Sequence, residues 1–172
     1  LRSLGSGAAL ATASGLGLNW TQAFAALKPL GEAQPFDFAA LKGQARALAA
    51  KAYEPPKDTI PPSVSKLDWD QYQSIQFQGD HALWADENLR FQAKFFHLGL
   101  FFKKPVRMFE LADGRAQELA YDPEMFDYGK SGLKAGDLPP SLGFAGFRLN
   151  FHTDPVRDVA AFLGASYFRA VG

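Results

Sequence analysis

The stretch LGFAGFRLNFHTDPVRDVAAFLGASYFRAVG, Leu142 to Gly172, decides how this chain folds. It holds two strand candidates, each entered or interrupted by glycine and each carrying one arginine among aromatic residues. In the first, Gly143, Ala145, Phe147, Leu149 and Phe151 alternate with Phe144, Gly146, Arg148 and Asn150, the two-residue period of a strand. In the second, Ala165, Tyr167, Arg169 and Val171 alternate with Ser166, Phe168 and Ala170. Between them, Asp154-Pro155 reads as an N-cap followed by proline at the first helical position, so a short helix is expected up to Leu163-Gly164. Glycine inside a strand marks a bulge or a close approach of backbone or ligand. Arginine beside Phe and Tyr is costly to bury unpaired and well suited to a polar ligand; the competing reading places Arg148 and Arg169 on solvated strand faces.

Upstream of this stretch the chain is mainly strands and turns. FQAKFFHLGLFF, Phe91 to Phe102, predicts one long strand whose second half is apolar on both faces and so lies centrally between two layers. Lys103-Lys104-Pro105 turns it, and Val106 to Leu111 is the next strand. Asp113-Gly114 is a strong two-residue hairpin signal leading into Arg115 to Tyr121. Pro123 to Phe126 is a helical turn, and Gly129 to Ser141 a loop rich in glycine and proline.

Further upstream, Asp37 caps the clearest helix, with Phe36 and Leu41 placed for a hydrophobic staple. Phe38, Leu41, Ala45, Leu48 and Ala52 recur at helical spacing, which predicts a helix laid against a sheet and ended by Glu54-Pro55-Pro56. Residues 55–66 hold four prolines and read as an extended connector. Asp68 with Gln71 forms a capping box for a short helix. Ile75 to Phe77 is a short strand, and Gly79 to Asn88 a loop carrying His81 and Trp84. One helix followed mainly by strands and hairpin turns predicts an antiparallel β-sandwich with helical trimmings, without an internal repeat or a second-domain boundary after residue 35.

Residues 1–25 read as an export signal: a weakly apolar Gly/Ala/Leu run from Leu4 to Leu18, then Ala23-Phe24-Ala25 in the small-x-small cleavage pattern. The run is too short and glycine-rich for a spanning helix. Leu1-Arg2 suits the tail of a twin-arginine signal; a Sec signal and a disordered cytosolic arm are the alternatives. Residues 26–35 are expected to be a polar linker, and 36–172 the folded domain.

The chain has 172 residues, room for one domain with a real core. Its 18 basic and 18 acidic residues cancel, so nothing favours nucleic acid or an anionic membrane surface. With no cysteine, disulfide frameworks and thiolate–metal sites are excluded. The three histidines, His81, His97 and His152, have no metal-binding spacing, and no phosphate loop, dinucleotide fingerprint or nucleophile elbow is present, so no metal or cofactor is implied. Asp80, Asp86, Glu87, Asp122, Glu124 and Asp127 all fall in loops, and no spacing singles out the carboxylate pair that glycoside cleavage needs. Binding chemistry is better represented. Sugars offer hydroxyls to planar donors and an apolar face to aromatics, which makes Tyr167, Arg169, Arg148, Trp84 and His97 the candidates. Tyr167 and Arg169 share one strand face, with Phe168 expected as a core anchor on the other. Two roles stay open: Arg169 pairing with a buried carboxylate, and His97 as a core histidine bonded to backbone.

Several motifs together, LGFAGFR, FLGASYFRAVG, YxxIQF (Tyr72–Phe77), AxW (Ala82–Trp84), FFHLG (Phe95–Gly99) and PVRMFE (Pro105–Glu110), resemble the periplasmic glucan biosynthesis protein G and D family. The resemblance runs from about Phe36 to Gly172 and is nearer the D branch. It implies a mutarotase-like β-sandwich of which this chain is the opening part, and a role in making or processing osmoregulated periplasmic glucans with a β-1,2-linked backbone. It implies β-glucan as the ligand, periplasmic location, and cleavage by paired acids beyond Gly172, so that this piece alone has no cleaving activity. It also leaves room for association with a membrane glucan synthase, and a non-catalytic carbohydrate-binding or scaffolding role is the alternative. A strand that ends the piece without neighbours exposes an edge, so the isolated piece is expected to be unstable or to aggregate.

Overall fold

A computed structural model describes residues 27–55, 60–87 and 89–171. The expected export signal, residues 1–25, lies outside the described residues. Among the described residues the chain is mainly β, with nine strands in three antiparallel sheets. Strand β1 (Pro29–Pro35) pairs with β5 (Arg115–Leu119), which pairs with β4 (Phe109–Ala112). Strands β2 (Gln76–Phe77) and β6 (Phe126–Asp127) form a short two-stranded sheet. The largest sheet runs β3 (Phe91–Phe96), β7 (Gly146–Phe151), β8 (Asp154–Leu163) and β9 (Tyr167–Ala170). Helices α1 (Phe38–Ala49), α2 (Pro62–Ser65) and α3 (Trp69–Gln73) complete the order.

The core is aromatic. Phe95 on β3 packs 4.5 Å, centroid to centroid, from Phe144, and 5.7 Å from Phe77, which meets Phe126 edge-on at 5.2 Å. Leu27, Val64, Leu98 and Met125 fill the spaces between them. Burying one such side chain is worth about 1.5–3 kcal/mol, so this cluster dominates the stability of the fold.

Local signals were read correctly where short-range chemistry decides. Asp37 accepts from the Ala39 and Ala40 amides to cap α1, and Asp68 and Gln71 make the reciprocal capping box of α3. Asp113 and Gly114 both have positive φ, at 49° and 71°, as the predicted hairpin between β4 and β5 requires. Pro123–Met125 is the expected helical turn.

Six expectations need correction. Residues 29–35, expected as linker, are strand β1, which finds its partners some eighty residues away on β5, where a local reading cannot see them. Helix α1 forms but is not laid against a sheet: Phe38 and Leu48 are 65% and 70% exposed and no residue of the helix is buried. The connector contains a helical turn, α2. The long strand from Phe91 stops at Phe96, because Gly99 (φ 149°) and Leu100 (φ 47°) turn the chain back so that Gly99 and Phe102 exchange backbone hydrogen bonds. The expected strand from Val106 begins only at Phe109, Val106 making a single bridge to Phe144. The predicted helix at 154–163 is, in a further and larger departure, strand β8. Pro155 fits there because register pairing to β7 breaks between Asp154 and Asp158, so its missing N–H leaves no ladder partner orphaned.

Gly146 shows why β7 and β8 lie as close as they do. A Cβ on this residue would come within 2.0 Å of the Phe162 carbonyl oxygen. The glycine in the opening motif is thus a close approach of two backbones.

Candidate functional site

Strand register sorts the four-stranded sheet into two faces. Phe95, Phe147, Phe162 and Phe168 pair in a row across β3, β7, β8 and β9. Phe147 and Phe162 stack at 4.9 Å, and Phe162 and Phe168 at 6.3 Å. The row is covered at one end and open at the other: Phe95 is 3% exposed and Phe168 71%. Phe168 therefore lies on the apolar face, as its alternation with Tyr167 and Arg169 requires, but it is not a buried anchor.

The opposite face carries the chemistry. Lys94, Arg148, Ala161 and Arg169 pair in register across the same strands, with Phe96, Gly146, Leu163 and Tyr167 in the next row on that side. Three of the five residues singled out by sequence, Arg148, Tyr167 and Arg169, thus share one surface. Lys94 joins them, and Asp158 does so by a backbone device. Leu149 pairs with Ala160 and Asn150 with Asp158, so Val159 is an extra residue on β8. The bulge turns the Asp158 side chain to the face of Arg148 and Arg169, where unbroken alternation would point it away.

Asp158 is the anionic centre of this face. Its Oδ2 accepts from Arg169 Nη2 at 2.9 Å, and its Oδ1 lies 3.5 Å from Arg148 Nη1 and accepts from Asn150 Nδ2 at 3.2 Å. The Asp158 side chain is 13% exposed, that of Arg148 23%, and that of Arg169 63%. Arg148 also places its guanidinium 4.8 Å from the centroid of Phe96. Among the described residues its Nε is buried without a hydrogen-bond partner, as is Asn150 Oδ1. Lys94 Nζ donates to the Pro155 carbonyl at 2.9 Å. Partial burial holds its pKa below the ordinary lysine value, the Arg148 charge lowers it further, and Asp158 works the other way. Beside Arg148 lies a cavity of about 110 Å³ lined by Tyr72, Gln73, Gln76 and Phe96 among others.

Of the other two candidates, His97 lies in the core yet lines the same cavity as Arg148, and Trp84 sits apart from this face. His97 is 3% exposed, with rings of Phe126 and Tyr128 edge-on at 5.0 and 5.5 Å. Its Nδ1 is 2.7 Å from the Leu98 carbonyl, so Nδ1 carries the proton and Nε2 accepts from Tyr121 Oη at 3.1 Å. Tyr128 Oη donates to the Pro123 carbonyl, which leaves its 3.4 Å contact with Tyr121 Oη without a proton. Burial pushes the His97 pKa down to about 4. Both nitrogens are engaged inside the core, the role of a structural histidine. Trp84 occupies a left-handed backbone position (φ 67°) and its Nε1–H donates to Glu110 Oε1 at 2.7 Å. Glu110 Oε2 is buried without a partner among the described residues, and its charge adds to partial burial in raising the Glu87 pKa.

Asp158 and Lys94 were missed by sequence reasoning. Lys94 faces Arg148 only through strand register, and Asp158 reaches the face only through the Val159 bulge, and neither is visible in local periodicity. Among the described residues, no group of three or more His, Asp and Glu side chains is placed to hold a metal ion.

Residues 36–172 match the family described as periplasmic glucan biosynthesis protein, MdoG. The chain is 66% identical over 146 residues to a glucans biosynthesis protein D of Stenotrophomonas maltophilia, an alignment covering 85% of this chain and 27% of the relative. A protein of the same name from Xanthomonas campestris pv. campestris is 62% identical over 146 residues, with the same coverage. Another from Xylella fastidiosa is 63% identical over 147 residues, covering 86% of this chain and 27% of the relative. The chain spans about a quarter of the length of these curated relatives.

Proposed function

Because the chain belongs to the periplasmic glucan biosynthesis protein MdoG family, we propose that its four-stranded sheet supplies one wall of a glucan-binding surface in a periplasmic protein that acts on β-1,2-linked glucan. The observation that carries this reading is the gathering of Arg148, Tyr167 and Arg169 on one sheet face, in register with Lys94. Aromatic planes and planar donors side by side are what a sugar chain requires, stacking on one and hydrogen bonding to the other. Tyr167 is half exposed and Arg169 largely so, and both are accessible to a ligand.

Within this part of the protein the role is binding. Glucan cleavage by the whole protein rests on the family resemblance and requires an acid pair contributed by the remainder of the full-length chain. A scaffolding role in glucan assembly, beside a membrane glucan synthase, uses the same wall without that pair. Incubating the full-length protein with linear β-1,2-glucan separates the two: shortened products support the hydrolase, and binding without shortening supports the scaffold. Absence of binding contradicts both.

A further inference from the structure

Asn150 stands where the β7–β8 ladder is least regular. It pairs with Asp158, and the register slips on both sides of that pair. Toward Ala160 the extra residue is Val159; toward Asp154, Pro155, Val156 and Arg157 have no counterparts on β7. The backbone ladder therefore does little to fix where Asp158 points. The Asn150 side chain does this instead. It is 1% exposed, and its Nδ2 donates to the Arg157 carbonyl at 2.9 Å and to Asp158 Oδ1 at 3.2 Å, so it clamps the carboxylate and the backbone just before it. Both partners are acceptors, which lets the amide face only one way and leaves its Oδ1 buried without a partner among the described residues. An unmet buried acceptor costs stability. What that cost accompanies is one carboxylate set in a single position.

We propose that Asn150 is a positioning residue for glucan binding, holding Asp158 and, through it, the Arg169 guanidinium. The inference rests on the glucan reading of this face and adds to it the residue that orders the exposed arginine. Asp158 Oδ1 takes the Asn150 hydrogen bond and Oδ2 takes that of Arg169 Nη2 at 2.9 Å, so one carboxylate bridges a fully buried amide and a largely exposed guanidinium. An untethered surface arginine samples many rotamers, and a ligand that uses it bears the cost of ordering it. Here the ordering is done in advance. One donor of Arg169 is tied to Asp158, and the rest of its planar fork is presented in a fixed direction. Asn150 itself is closed to ligand and acts only through its neighbours.

The test is a double-mutant cycle on the full-length protein, titrated calorimetrically with linear β-1,2-glucan below the melting temperature of every variant. Asn150→Ala should weaken glucan binding about three- to tenfold in the natural background, the scale of ordering one long side chain. In the Arg169→Ala background the same change should alter affinity by less than about twofold, because no guanidinium is left to position. Should Asn150→Ala fail to fold, Asn150→Ser, which keeps a hydroxyl donor, takes its place in the cycle and should show a smaller loss with the same dependence on Arg169. Equal weakening in both backgrounds, or a lowered melting temperature with natural affinity, overturns the positioning role and leaves the glucan reading standing. Absence of binding by the natural protein, or undiminished binding by Arg169→Ala, overturns the glucan reading itself.

Discussion

Arg169 on β9 donates to Asp158 on β8 at 2.9 Å, and the carboxylate is far more deeply buried than the guanidinium that holds it. Asp158 is thus tied from two sides, by Arg169 and Arg148, while Arg169 remains largely open to ligand. Of the two roles that the sequence left for Arg169, carboxylate partner is the one seen here, and its exposed side is the one proposed to meet glucan.

Asp158 should accordingly matter more to the fold than Arg169 does. Asp158→Ala in the full-length protein leaves two neighbouring arginines uncompensated and is expected to cost about 2–4 kcal/mol. Arg169→Ala loses a mostly exposed partner and should cost at most about 1 kcal/mol. Thermal melting of both variants checks the order; equal losses would show that Arg169 is chiefly structural.

His97 makes stability depend on pH. Its pKa is about 4 in the fold against 6.5 ordinarily, so below pH 6.5 the unfolded state binds a proton that the folded state refuses. Stability is complete above pH 6.5 and falls by about 3 kcal/mol as pH drops toward 4. Melting temperatures from pH 7 to 4.5 should therefore decline more steeply for the natural protein than for His97→Gln. Parallel profiles would remove His97 as the cause.

Gly146→Ala tests the close approach of β7 and β8. The added methyl carbon meets the Phe162 oxygen at 2.0 Å and Leu163 Cα at 2.9 Å, both backbone atoms that cannot swing aside. Overpacking of this kind costs about 1–3 kcal/mol, more where backbone must move. The variant is expected to melt lower and to lose soluble yield; an unchanged melting temperature would mean that the strands are free to separate there.

Trp84→Phe removes the donor to Glu110 without opening a large cavity. Glu110 already has one buried oxygen without a partner among the described residues, so the variant is expected to lose about 1.5–3 kcal/mol. The double variant Trp84→Phe with Glu110→Gln should recover part of the loss. No recovery would show that the tryptophan ring, and not its N–H, matters at this position.

How much of this was legible in the sequence depended on range. Caps at Asp37 and Asp68 and the turn at Asp113-Gly114 are decided by a few neighbouring residues, and they were read directly. The alternation of Phe147 and Arg148 placed them on opposite faces of β7. The stretch 154–163 misled because Asp-Pro and a trailing glycine mimic helix punctuation, while pairing with β7 on one side and β9 on the other outweighs local propensity. Strand β1 was invisible for the same reason, its partner lying far along the chain. Arg148, Tyr167 and Arg169 could be nominated by residue type, but the members that complete the face, Lys94 and Asp158, depend on register and on a bulge at Val159.

Glucan binding by the Tyr167–Arg169 face is tested most directly by calorimetric titration of full-length protein with linear β-1,2-glucan, comparing the natural protein with Arg169→Ala and Tyr167→Ala. The arginine substitution should weaken binding by about 1.5–3 kcal/mol and the aromatic one by about 0.5–1.5 kcal/mol, with melting temperatures nearly unchanged. Full affinity in both variants, with the proteins folded, would contradict it.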